Sequence, residues 1–137
     1  MSLLFSPFSL GPLALRNRIV IAPMCQYSAE DGTAPACPAT HPGRPALRGA
    51  GLLIIEATAV EALGRITLGD LGLYTDDNQA ALARVLAAIR RHSRIPVAIQ
   101  LGMYLGSSRM ITAMIERSNS DLWITAFGAK GFEGGGI

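Results

Sequence analysis

The chain has 137 residues, half of them apolar and 16% charged, and its 12 basic and 10 acidic side chains leave a formal net charge of +2. That composition argues against extended disorder, and so even a charge balance argues against a nucleic-acid or acidic-membrane surface. The size is that of one ordinary domain, or a piece of one.

The N-terminal stretch has no basic region and carries Pro7 and Pro12, which argues against a secretory signal and makes the cytoplasm the expected compartment. The first strand is expected over residues 18–23, where Ile19, Val20 and Ile21 form a β-branched run closed by Pro23. It ends on Met24 and Cys25. Cys25 and Cys37 form no CxxC pair, and no His/Cys group has zinc-finger spacing, so no metal site is expected. The segment that follows holds Pro35, Pro38, Pro42 and Pro45. An interior helix proline costs ~3 kcal/mol, so an irregular loop is expected there instead of a crossover helix.

A second strand is expected over 51–57, where Leu52, Leu53, Ile54 and Ile55 lead to Glu56, Ala57 and Thr58. A helix is expected over 76–92, with Leu82, Val85, Leu86 and Ile89 on one face. Thr75 or Asp76 can cap it. Asp76 and Asp77 suit its first turn, and Arg90 and Arg91 its last. The third strand is expected over 95–101 and ends on Gln100 and Leu101. All three strands are continuously apolar, as strands buried on both faces of a parallel sheet are. Each carries a chemical handle at its C-terminal end, where a (β/α)8 barrel does its chemistry, although three short strands suit a doubly wound sheet as well. Beyond them a short helix is expected over 108–117 and a strand over 122–127. The glycine-rich end, 128–137, lacks phosphate-loop spacing. No apolar run reaches the ~18 residues of a membrane span.

Several ordered blocks carry a resemblance. They are Leu4-Phe5-Ser6-Pro7, Leu13-Ala14-Leu15-Arg16-Asn17-Arg18-Ile19, Ala22-Pro23-Met24-Cys25-Gln26-Tyr27-Ser28, Glu56-Ala57-Thr58, Gly64-Arg65-Ile66-Thr67, Asp70-Leu71-Gly72-Leu73-Tyr74 and Ile99-Gln100-Leu101. Together they resemble the opening stretch of the old yellow enzyme family, in particular its bacterial branch with an active-site cysteine. The resemblance implies an α/β fold, an incomplete (β/α)8 TIM barrel with about the first three strands in residues 1–101 and a divergent tail over 102–137. It implies FMN as cofactor, NADPH or NADH as hydride donor, and an enone-type small molecule as substrate. Pro23, Met24, Cys25, Ala57 and Gln100 are then the flavin-binding residues, the first three through their backbone. Cys25 is a modulator of the flavin, and Tyr27 contributes to substrate binding. Read singly, Cys25 is a small buried hydrophobe, Tyr27 a strand-end aromatic and Gln100 a satisfied polar group.

The chain departs from the family pattern at three places. His41 keeps its position, but Cys37 stands where an aromatic residue is expected and prolines interrupt the helix. Gly102-Met103-Tyr104-Leu105-Gly106 replaces an Ala/Gly-His-Ala-Gly-Arg-Lys type motif. A barrel of this kind typically takes ~250 residues. The alternative expectation is therefore a truncated, inactive remnant without flavin that serves as an interaction fragment.

Overall fold

The computed structural model describes residues 2–35 and 43–102 in full and the backbone of 103 and 122–128. Cys37, His41, the segment 108–117 and the glycine-rich end lie outside the described residues. Two strands, β1 (Phe8–Leu10) and β2 (Leu13–Leu15), make an antiparallel hairpin at the start. Gly11 at φ 57° and Pro12 form its two-residue turn, the glycine supplying the positive φ that such turns need.

The main sheet follows. β3 (Val20–Ile21), β4 (Leu52–Ala59), β6 (Val97–Met103) and β7 (Leu122–Gly128) lie side by side in that order, all parallel. A two-residue strand, β5 (Leu71–Gly72), pairs with the C-terminal end of β4. The order never doubles back. A doubly wound sheet reverses direction at a switch point, whereas a barrel adds each strand beside the last. The architecture is therefore that of an incomplete (β/α)8 barrel, with four strands in sequential order, the fourth where a strand is expected over 122–127.

The two faces of this sheet differ. Leu53 and Ile55 of β4 and Val97, Ile99 and Leu101 of β6 pack in one cluster with the helix α2 (Asp76–Arg90), whose Leu82, Val85 and Ile89 are buried and whose Leu86 packs beside them. Burying a side chain of this kind contributes ~1.5–3 kcal/mol, so this layer supplies most of the cohesion. On the other face, Leu52, Ile54 and Ala98 pack with Leu13 and Leu15 of the hairpin. The hairpin thus closes the N-terminal end of what would be the barrel interior. Strand alternation assigns Gln100 to this inner face, two residues beyond Ala98.

The ends of α2 follow the expected capping. Thr75 Oγ1 accepts from the Asn78 amide at 3.1 Å, and Arg90 donates to the carbonyl of Ile95. The proline segment is irregular where it is described, apart from one turn of helix, α1 (Gly43–Ala46). Pro45 is tolerated there because the first four N–H groups of a helix have no intrahelical acceptor. Ser93 Oγ donates to Ala46 O at 2.7 Å and ties α1 to the end of α2. Asn17, buried, accepts from Ile19 N at 3.1 Å and donates to Gly49 O at 2.8 Å, which fixes the start of β3 beside the turn that leads into β4.

Candidate active site at the strand C-termini

A parallel sheet brings the C-terminal ends of all its strands to one rim. That rim holds Pro23, Met24 and Cys25 after β3, Glu56, Ala57 and Thr58 on β4, and Gln100 on β6. The Gln26 amide donates to Glu56 Oε2 at 2.8 Å and ties the loop after β3 to β4. Gln26 Nε2 also donates to Met24 O at 3.1 Å, which tightens the loop on itself.

The β4–β6 ladder is irregular at this rim. Ile55 pairs with Ile99, yet Thr58 pairs with Leu101, so Glu56 and Ala57 together oppose the single residue Gln100. This is a β-bulge. Ile55 belongs to the helix-side core, and Thr58 is fully buried opposite Leu101 of that same core. Both residues between them therefore fall on the inner face with Gln100. Strict alternation would have sent Ala57 to the helices; the extra residue turns it inward. A Cβ built on Gly102, which shares the Gln100 face, would meet the Ala57 methyl at 3.8 Å, an ordinary contact. The Thr58 hydroxyl donates to Glu56 O at 2.9 Å and pins the bulge. Bulges recur next to active sites because they re-aim side chains.

Four of the expected residues thus meet on one rim: Cys25, Ala57 and Gln100 are half-buried and Pro23 adjoins them. Met24 is placed differently. Its side chain is 47% exposed and lines a cleft of about 400 Å³ between β3 and α1, with Ile19, Ile21, Arg44, Pro45, Arg48 and Ala50. Only its backbone is left to the rim. Tyr27 lies further along the loop, 54% exposed, with φ 53°. Cys25 is a free thiol. Among the described residues no group of His, Cys, Asp or Glu could hold a metal ion.

Three features beside the rim have no counterpart in the sequence reading. Asp31 (φ 46°) and Gly32 (φ 76°) form a tight turn closed by reciprocal bonds between Glu30 and Thr33. The Asp-Gly pair is a recognised signal for such a turn. Tyr74 donates to Asp31 O at 3.1 Å, and Arg65 pairs with the Asp31 carboxylate at 3.0 Å. Burial pushes the Tyr74 phenol above its ordinary pKa of 10.0, with Asp31 adding to the rise and Arg65 opposing it. Asn78, at the start of α2, donates to Asp31 O and Thr33 Oγ1 and so docks the turn on the helix.

Comparison with known proteins bears on this rim. Residues 3–124 match the profile of the NADH:flavin oxidoreductase / NADH oxidase family. An NADPH dehydrogenase of Listeria monocytogenes serotype 4a is 46% identical over 94 residues, which is 67% of this chain and 28% of that protein. An NADPH dehydrogenase of Bacillus cytotoxicus is 43% identical over 100 residues, 72% of this chain and 29% of that protein. Among solved structures, morphinone reductase superposes with a TM-score of 0.66 at 31% identity, covering 73% of this chain and 26% of that one. The old yellow enzyme from Trypanosoma cruzi gives 0.62 at 30% identity over 72% of this chain and 26% of that one. The chain thus spans little more than a quarter of the length of these relatives.

Proposed function

Because the chain belongs to the NADH:flavin oxidoreductase / NADH oxidase family, we propose that it supplies the first part of an FMN-dependent reductase that uses NADPH or NADH to reduce activated alkenes such as enones. The single observation that carries this reading furthest is the bulge in β4, which places Ala57 on the same inner face as Gln100 at the C-terminal rim.

The residues present fit the ring system of FMN. The donor set is neutral and mixed: a carboxamide that both donates and accepts, a thiol, a methyl group and a stretch of backbone. The Glu56 carboxylate beside it is engaged by the Gln26 amide. Such a surface suits a flat heteroaromatic ring with hydrogen-bonding edges. The chemistry that FMN supplies when bound is transfer of two electrons and a hydrogen as hydride.

The chain's own residues then have distinct tasks. Gln100 holds the polar edge of the ring by its carboxamide. Ala57 presents a methyl group and no more, leaving room for a planar group to approach β4. The Pro23–Cys25 backbone supports the ring from the β3 side, and the Cys25 thiol adjusts the polarity beside it. The Tyr27 phenol donates a hydrogen bond to the substrate carbonyl, which withdraws charge from the alkene and favours attack at its β-carbon.

The test is a chimera in which residues 1–101 replace the corresponding stretch of one of the NADPH dehydrogenases. It is expected to retain FMN and to reduce a simple enone with NADPH, and Tyr27→Phe is expected to weaken turnover. A folded, flavin-loaded chimera without enone reduction would sink the proposal. The 137-residue chain by itself is expected to carry little FMN. A flavin band near one equivalent in that chain would refute this expectation.

A further inference from the structure

We infer that Gly69 is a positioning residue for Tyr27: the bare backbone at 69 closes against the Tyr27 carbonyl and holds Tyr27 in its left-handed conformation. The inference rests on the proposed role of Tyr27 toward substrate. It identifies what fixes that side chain, which lies on a loop with no regular structure of its own.

A bulky residue with positive φ is uncommon, and such a conformation persists only where its surroundings impose it. Tyr27 has φ 53° and is more than half exposed, so burial of its own ring does not impose it. What does press on it is the loop between β4 and β5. A Cβ built on Gly69 would stand 2.4 Å from Tyr27 O, 2.7 Å from its carbonyl carbon and 3.1 Å from its Cα. Those atoms are backbone and have no rotamer by which to move aside. Two residues on, the Ala29 amide donates to Gly69 O at 3.0 Å. The two loops are thus clamped on both sides of Ser28.

The clamp also needs a loop that does not yield. Apolar packing does not supply this, because Leu63, Ile66 and Leu68 are 84%, 62% and 80% exposed. The buried Asp70 carboxylate does, by accepting from Ile66 N at 2.6 Å, Thr67 N at 3.3 Å and Thr67 Oγ1 at 3.0 Å. Thr67 Oγ1 in turn accepts from Gly69 N at 3.2 Å. The order is from Asp70 through Thr67 to Gly69 and from there to Tyr27. The hydrogen bonds along it involve neither Ala57 nor Gln100, so its effect is expected on the substrate side.

The experiment uses the full chain labelled with 3-fluorotyrosine, its Tyr27 resonance identified by its disappearance in Tyr27→Phe. Gly69→Ala is expected to move the Tyr27 fluorine resonance and to leave that of Tyr74 in place. An unmoved Tyr27 resonance, or equal movement of both, overturns the inference. Should Gly69→Ala fold poorly, the Tyr27→Gly background decides, because glycine accepts a shifted φ at no steric cost. Gly69→Ala must then be less damaging than in the parent chain, and equal damage overturns the inference. The flavin-loaded chimera separates this from the functional reading. There Gly69→Ala is expected to lower kcat/KM for the enone about as much as Tyr27→Phe does, to leave flavin reduction by NADPH unchanged, and to add nothing in the Tyr27→Phe background. Additive losses overturn the positioning role. A Tyr27→Phe chimera with unaltered kcat/KM for the enone instead removes the substrate reading of Tyr27 itself.

Discussion

Thr58→Val removes one oxygen atom from the centre of the proposed site and keeps the shape of the side chain. Thr58 has no exposed surface, and its hydroxyl donates to the carbonyl of Glu56, the first residue of the bulge. A typical hydrogen bond contributes about 1 kcal/mol net. Local opening of the β4 end should therefore become roughly 5 times more frequent, since 1.4 kcal/mol is a factor of ten. Hydrogen exchange reads such opening directly, without requiring that the whole chain unfold at once. The informative amides are Val60, which donates to Gly102 O at 3.3 Å, and Leu73, which donates to Ala59 O at 2.8 Å. Thr58→Ser keeps the hydroxyl and loses one methyl group, worth about 0.8 kcal/mol, and serves as the control. The two variants differ in kind: the valine one loosens the bulge, the serine one only thins the packing behind it. If Thr58→Val leaves exchange at Val60 and Leu73 unchanged, the hydroxyl does not hold the bulge and Ala57 is turned inward by something else.

Gly32→Ala and Gly11→Ala form a matched pair. Both place a Cβ at positive φ, at roughly 1–2 kcal/mol each, but at Gly32 that atom would also lie 2.5 Å from Tyr74 Oη whereas at Gly11 it meets nothing within 4 Å. Urea unfolding followed by circular dichroism should show the larger loss for Gly32→Ala, and equal losses would disprove the crowding at Tyr74. Thr75→Ala removes the hydroxyl that accepts from Asn78 N and should cost about 1 kcal/mol, read as faster exchange of the Asn78 amide; unchanged exchange would mean that the cap is idle. The Tyr74 phenol ionises later in the folded than in the unfolded chain, so its contribution is complete below pH 10.0 and is lost as pH rises through the folded value. Urea unfolding between pH 8 and 11 should show a fall in stability at the alkaline end that Tyr74→Phe abolishes, and a Phe variant with the same alkaline fall would assign it to another group.

The positions of the buried strands and of α2 were legible in the sequence because their physics is local. Continuous β-branched runs mark strands covered on both faces, and Leu82, Val85 and Ile89 recur at the helical period. Strand order was not legible from those runs. Pairing is a relation between distant segments, and only the sequential, all-parallel order of β3, β4, β6 and β7 separates a barrel from a doubly wound sheet. The hairpin at Gly11-Pro12 and the turn at Asp31-Gly32 had readable signals, a glycine able to take positive φ beside a second turn residue.

The proposed flavin-facing set shows where a periodic reading stops. Counting by twos from Leu53 and Ile55 puts Ala57 among the helix-facing residues and Glu56 alone on the inner face. The sequence Ile54-Ile55-Glu56-Ala57-Thr58 contains no glycine or proline to announce a bulge, so period-two reasoning places Ala57 on the wrong side with no warning. The bulge becomes visible only when β4 is laid against β6, where Thr58 returns to the outer face opposite Leu101. Its cause is then intelligible. The buried Thr58 hydroxyl bonds the carbonyl of Glu56 from within its own strand, which an apolar residue at 58 cannot do. Thr58, which reads in the sequence as one more β-branched strand residue, is therefore the residue that allows Ala57 and Gln100 to share a face.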